Sequence, residues 1–235
     1  MKIQIPAQDV SDIFWRNLSH RWAHSIRKWL PHLDEQSCVA EHAREAADYN
    51  TGSVGSPTAV ALLILGHEMQ PAVTFEVGTF IGNTTRALAI TSKHVFTCDG
   101  SNDIGMHLPN VTQYPKTMST AALTQFAETG QKIDLLFLDG RLQKEDLPLL
   151  KDLLTPETII ALDDCYQLEK GVANVSILQA ATQGALFYLP PPRGEPFAAF
   201  GIPGGTTLGL LVPAAALNIS AARCEELPMP ADPTL

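Results

Sequence analysis

The sequence predicts an α/β protein built on a doubly wound, mostly parallel sheet, with helices added at the N-terminus. Three observations carry that prediction. From residue 72 onward, short apolar runs alternate with helical periodicity, as expected for parallel strands joined by crossover helices. The runs are almost continuously apolar, as strands covered on both faces must be. Several of them end on acidic residues, and ligands in such sheets bind at the carboxyl ends of the strands.

Residues 10–49 read as helical. Ile13, Phe14, Leu18, Trp22, Ile26, Trp29 and Leu30 recur at helical spacing, and Pro31 ends or kinks that helix. A second, Ala-rich helix is expected over residues 35–47. Trp15, Trp22 and Trp29 repeat at heptad spacing, the pattern of a core stripe or a homodimer contact through the N-terminal helices, and alternatively of an aromatic cap over substrate. His20 and His24 share a helix face, which reads as solvated because no third metal ligand accompanies them. A turn-rich stretch, residues 50–57, leads into a helix over residues 58–69, with Ser56 as the expected N-cap and Pro57 at the first helical position.

The alternating region follows. Strands are expected at residues 73–77, 94–98, 110–114, 133–138 and 158–162, and helices at 84–91, 119–129, 146–154 and 171–183. Two β-type runs, 186–189 and 206–212, close the core. Between them lies a Pro/Gly-rich loop, residues 190–205, in which Arg193-Gly194-Glu195 reads as a lid over substrate or as a plain connection. Residues 1–50 are thus a helical extension, 51–213 the core domain and 214–235 a tail without a core pattern.

Composition narrows the function. A chain of 235 residues buries a full core without metal or disulfide. Its 25 acidic and 16 basic residues give a net charge of −9, which argues against a nucleic-acid partner, since phosphate contacts need a basic face. No apolar run is long enough to span a bilayer, and MKIQIPAQDV carries no apolar leader core. Cys38, Cys98, Cys165 and Cys224 are far apart, as suits reduced thiols in the cytoplasm. The expectation is a cytoplasmic protein acting on a small molecule, with neither membrane nor nucleic acid as partner.

The chemistry concentrates at the strand ends. Glu76-x-Gly78-x-x-x-Gly82-x-Thr84 leaves one strand and opens a helix. Glycines there permit positive φ and a close backbone approach. The dinucleotide fingerprint does not fit, because Phe80 and Thr85 stand where its further glycines belong. An acid ahead of the turn suits a cationic ligand better than a phosphate. Asp99 ends the next strand, where a carboxylate takes both hydroxyls of a ribose. Asp139, Asp163 and Asp164 end two further strands. Three converging carboxylates repel one another unless a cation or shared protons intervene, and Mg²⁺ favours such hard oxygen ligands.

Residues 75–89 with Asp99 resemble motifs I and II of class I S-adenosylmethionine-dependent methyltransferases. Residues 133–141 and 158–164 resemble the fourth and fifth strands of the catechol and caffeoyl-CoA O-methyltransferase-like subgroup and its macrocin-type relatives. The resemblance runs over about residues 51–212 and is specific in the four strand-end motifs. It implies a Rossmann-like, seven-stranded sheet with an antiparallel last strand. It implies that Glu76 holds the methionine amino group of S-adenosylmethionine and that Gly78 approaches the methionine part. Thr79, Phe80, Gly82 and Thr84 would complete the cofactor loop, Asp99 would hold the ribose, Ser119 the adenine ring, and Val54 would add a further contact. Asp139 would border the cofactor and, with Asp163 and Asp164, hold a divalent metal, Mg²⁺.

The implied reaction is metal-assisted O-methylation of a small hydroxylated molecule. The sequence departs from the subgroup at the base, a lysine or histidine that follows the fourth-strand acid closely in the relatives. Here Arg141 comes first, charged and suited to clamping substrate, and Lys144 stands further along. Cys165 has no histidine partner that would make it a nucleophile. Two alternatives stay open: a metal-independent enzyme using the same cofactor, by N-methylation or another reaction, and a non-catalytic cofactor-binding protein.

Overall fold

The computed structural model describes residues 3–6, 8–33, 54–100, 108–166, 168–182, 186–213 and 224–226. The helix expected over residues 35–47 lies outside them, as does most of the tail. In chain order the elements are strand β1 (Ile3–Pro6), helix α1 (Gln8–Trp29), α2 (Ser56–Met69), β2 (Val73–Val77), α3 (Asn83–Thr91), β3 (His94–Asp99), β4 (Val111–Pro115), α4 (Ser119–Ala127) and β5 (Ile133–Leu138). Then come α5 (Asp146–Leu153), β6 (Leu154–Leu162), a turn of π-helix at Leu168–Val172, α6 (Ala173–Ala181), β7 (Leu186–Leu189), β8 (Gly209–Pro213) and β9 (Cys224–Glu226).

The strands form one sheet in the order β4-β3-β2-β5-β6-β8-β7-β1-β9. Strands β2 to β6 pair in parallel, and β8 runs antiparallel between β6 and β7. The first seven in that order are the expected seven-stranded core with its antiparallel last strand. Two further strands extend it, β9 at the edge. β1 pairs in parallel with β7, and β9 pairs antiparallel with β1. Neither was expected. β1 alternates two isoleucines but has only four residues and ends on proline, and β9 has three residues with two glutamates, so both are too short to be placed from sequence.

Helices cover both faces. On one side α4, α5 and α6 pack on Phe75, Leu136, Leu138, Ile160 and Leu162. Phe126 of α4 meets Phe75 and Phe96 in edge-to-face contacts at 5.3 and 4.8 Å. On the other side α1, α2 and α3 pack on Leu135, Phe137 and Ala161. Alternate residues of β5 thus point to opposite cores, which explains its continuous apolar run from Leu135 to Leu138.

Helix α2 is buried without interruption from Thr58 to Gly66 because α1 lies over it. Trp15 is fully buried against Phe197, and Trp22 stacks on His67 while its indole N–H donates to Glu68 at 2.7 Å. Those two tryptophans face their own chain. Gly55, rather than Ser56, is the N-cap of α2, which places Ser56 inside the first turn ahead of Pro57. Among the described residues no helix is long and apolar enough to cross a membrane.

At Gly66 α2 touches α3 so closely that a Cβ would lie 1.9 Å from the Thr91 hydroxyl. Gly66→Ala should therefore destabilise the chain by about 1–3 kcal/mol through overpacking. Thermal unfolding checks this, with an expected fall in Tm of roughly 3–10 °C. An unchanged Tm would mean that these helices do not meet at Gly66.

Candidate active site at the sheet switch point

Strand order reverses between β2 and β5, so their carboxyl ends open a crevice where ligands bind in such sheets. Two backbones meet there. The Val77 carbonyl accepts the N–H groups of Asp139 and Gly140 at 2.9 and 2.7 Å. Gly78 has φ of 103°, and a Cβ on it would lie 2.8 Å from the Gly140 nitrogen. Only glycine fits both the conformation and the space. The Gly78 N–H donates to the Cys98 carbonyl at 2.8 Å, tying the loop to β3. Phe80 and Gly82 also take positive φ, so the chain coils tightly before α3 begins.

A shallow groove runs along this loop. Val54, Gly78, Thr79, Phe80, Thr84 and Asp139 line it, all of them expected from the sequence, together with Ile81 and Asn83. It measures only about 10 Å³ between the described residues, barely room for one water. The other expected cofactor residues stand behind it. Asp99 ends β3 and accepts the Phe80 N–H at 2.8 Å, fixing the loop tip. Gly82 caps α3. Ser119 is buried, and its hydroxyl donates to Asp146 at 2.7 Å. Asp146 also accepts the Thr120 hydroxyl and the Gln143 N–H, so this acid locks α4 to α5.

Glu76 lies beneath the groove, fully buried. Its carboxylate accepts the hydroxyls of Thr84, Thr85 and, at 2.7 Å, Thr97. Burial pushes its pKa up to about 7 although those three hydroxyls favour the charged form. In this arrangement Glu76 fastens the first turn of α3 to β3 and to its own strand, and both its oxygens are engaged internally.

The carboxylates of Asp139, Asp163 and Asp164 converge as the sequence predicts, with one ligand oxygen from each lying within 4.8 Å of the others. The Asp163 N–H donates to the Leu138 carbonyl, setting β6 level with β5, and Thr207 donates to the Asp163 carboxylate at 2.7 Å. Asp164 takes a positive φ of 49°, which turns the chain back over the strand end. Burial pushes the pKa of Asp139 up to about 6, with the neighbouring Asp163 adding to the rise and Lys170 opposing it. Asp163 is also raised, mainly by burial.

The cation placed against this cluster is Lys170. Its ammonium donates to Asp139 at 2.8 Å and to Asp164 at 3.1 Å. Burial opposes its charge, but the two carboxylates outweigh that and hold its pKa above the ordinary lysine value. The sequence sets residues 169–174, after the acid pair, at the start of a helix bordering the cleft, but assigns Lys170 no role there. The signal available was Lys170-Gly171 after the acid pair. A Cβ on Gly171 would lie 2.2 Å from the Cys165 carbonyl, so glycine lets the π-turn fold back and carry Lys170 over the acids. Lys144 is exposed in the turn before α5, and the Arg141 side chain is exposed beside Gly140. Asn174 fixes that turn by accepting the Leu142 N–H at 2.8 Å and donating to the Gly140 carbonyl at 3.0 Å. Cys165 is buried, and burial raises its thiol pKa to about 11, which rules it out as a nucleophile near neutral pH.

Solved structures share this architecture. A methyltransferase from Geobacter sulfurreducens matches with a TM-score of 0.52 and 17% identity, over 75% of this chain and 88% of its own. The fold is the methyltransferase fold. An O-methyltransferase from Bacillus cereus, in complex with SAH, matches at 0.51 and 15%, over 75% and 90% of the two chains. The O-methyltransferase TomG from Streptomyces achromogenes, involved in tomaymycin synthesis and solved with SAM, matches at 0.51 and 16%, over 77% and 89%. No protein-family profile matches the sequence, and no curated protein sequence does.

The raised carboxylates make stability depend on pH. Glu76 and Asp139 bind their protons more tightly folded than unfolded, so their contribution is complete below about pH 4 and is lost as pH rises through 6 to 7. Glu76→Gln should flatten the fall of Tm between about pH 5 and pH 8, as followed by thermal scanning across buffers. A slope identical to that of the parent protein would mean that Glu76 is ionised throughout this range.

Proposed function

We propose that this chain is an S-adenosylmethionine-dependent methyltransferase that methylates a hydroxyl of a small molecule with the help of a divalent metal. One observation carries the reading: Asp139 belongs to both halves of the site, lining the glycine-loop groove and forming part of the acid cluster. A methyl donor in the groove and an acceptor at the cluster would meet at that residue. The fold shared with SAM- and SAH-bound methyltransferases supports the donor half.

The chain's own groups divide the work. Gly78 lets the loop close on the β5 turn and so shapes the groove, and Asp99, at the end of β3, would receive ribose hydroxyls. Asp139 sets negative charge where a sulfonium would lie. The reaction forms a bond from the acceptor oxygen to the methyl carbon and breaks the carbon–sulfur bond, turning the sulfonium into a neutral thioether and releasing the hydroxyl proton. Catalysis would rest chiefly on aligning the two reactants. Three hard carboxylate ligands within 4.8 Å, two of them held above the ordinary carboxylate range, suit Mg²⁺ at Asp139, Asp163 and Asp164. Bound there, the ion supplies positive charge that lowers the pKa of a neighbouring substrate hydroxyl. Lys170 would give way to it.

A second reading has its own observation, the ammonium of Lys170 bridging Asp139 and Asp164. In that reading the chain supplies its own cation and works without metal. Asp139, with its pKa near 6, then accepts the proton.

Titration calorimetry with S-adenosylhomocysteine should show saturable binding. Asp99→Ala should weaken it by roughly tenfold or more, the loss of a charge-assisted hydrogen bond. Equal affinity in parent and variant would remove Asp99 from the site, and absence of binding would overturn the proposal.

Manganese binding, followed by electron paramagnetic resonance, separates the two readings. The metal reading expects bound Mn²⁺ that Asp163→Asn abolishes and that Lys170→Met tightens by several-fold, because a competing cation is gone. It also expects methyl transfer to stop in EDTA and return with Mg²⁺. If neither the parent nor Lys170→Met binds Mn²⁺, the metal-free reading stands in its place.

A further inference from the structure

A cavity of about 330 Å³ lies between α1 and the loop that follows β7, and it shares no lining residue with the glycine-loop groove. Its size falls within the range of small-molecule sites. Arg16, His20 and Arg27 reach it from one stripe of α1, and Arg193 reaches it from the loop. In a chain of net charge −9, three guanidinium groups gather around this one space. Among the described residues none of the three has a carboxylate within ion-pair distance. Arg27 instead lies over the Phe200 ring, 5.9 Å from its centroid.

Asp12 is the one acid in the lining. Its carboxylate already accepts the backbone N–H of Arg193 at 3.0 Å and the Gln8 amide at 3.2 Å. Those contacts fix the wall of the cavity. Gln8 also donates to the Pro191 carbonyl at 2.9 Å, Ser11 donates to the Pro190 carbonyl, and Phe197 is fully buried against Trp15. The loop is therefore pinned to α1 at several points, and little ordering remains to be done when a ligand enters.

We propose that this cavity is a second ligand site that binds a small organic phosphate monoester. Three guanidinium groups against one engaged carboxylate leave an excess of positive charge that a dianion neutralises. Guanidinium pairs with phosphate oxygens in bidentate fashion, which lysine does not. Pro196, Ala199 and Phe200 form an apolar wall for the organic part. The site is independent of methyl transfer and of any metal at Asp163.

Titration calorimetry with phenyl phosphate at low salt should give saturable binding that weakens as salt is added. The double variant Arg16→Gln/Arg193→Gln should bind at least roughly tenfold more weakly, since two charge-assisted contacts are lost. Both side chains are exposed, so the variant should keep the parent Tm, which separates lost binding from lost folding. Benzoate should bind more weakly than phenyl phosphate. Absence of binding to the parent protein, equal affinity in the variant, or benzoate bound as tightly as the phosphate would each overturn the proposal.

Discussion

The structure turns on the approach of two backbones at the carboxyl ends of β2 and β5. The Val77 carbonyl takes two N–H donors from the β5 turn, and Gly78 and Gly140 face each other without room for a side chain between them. That contact sets the depth of the crevice at the point where strand order reverses. It brings Asp139 to the edge of the glycine loop, and through the level alignment of β5 and β6 it brings Asp163 beside Asp139. A side chain at position 78 would demand strain and displacement together, so the geometry of both halves of the site depends on one missing Cβ.

Around that contact the chain concentrates negative charge in a poorly solvated place, and it compensates in two ways. Glu76 is surrounded by three threonine hydroxyls, neutral donors that soften the penalty of burial without cancelling it. The aspartate cluster is met by a full positive charge on Lys170, shared between two of its three members. The first solution is closed, because every oxygen of Glu76 is engaged. The second is open, because an ammonium on a flexible stem is readily exchanged for another cation. Such a site would suit the cations proposed for it, a sulfonium in the groove and a metal at the cluster.

Much of the architecture was legible in the sequence because the core strands are buried on both faces. The runs 73–77, 133–138 and 186–189 match β2, β5 and β7 residue for residue. Their short, mostly apolar runs bounded by turn residues could place them, since strands covered on both faces are built chiefly of apolar side chains. The edge was less legible. β1 and β9 are too short to announce themselves, and they form because β7 offers a free edge to β1, which in turn offers one to β9. At the site, the acids that end strands could be read in advance, but their partners could not. Lys170 reaches the cluster only through a π-turn that Gly171 permits, and the engagement of Ser119 by Asp146 depends on how α4 sits against α5. The first leaves only the Lys170-Gly171 pair as a local trace, and the second is a fact of tertiary packing with no local signature.

The antiparallel strand explains why the loop after β7 matters. β7 ends on the side of the sheet that carries the candidate site, and β8, running the other way, begins there. The connection between them therefore never leaves that side. β1 runs parallel to β7 and delivers the start of α1 to the same place, so Gln8, Ser11 and Asp12 meet the first residues of the loop. At its other end the loop is held by Thr206, paired with Thr58 of α2, and by Thr207, which donates to Asp163. One continuous segment thus walls the arginine cavity and supports the acid cluster. A direct crossover to a parallel strand would have carried the chain to the opposite side. By reversing its last core strand, the fold keeps a long, pinned loop over the side of the sheet that carries the candidate site.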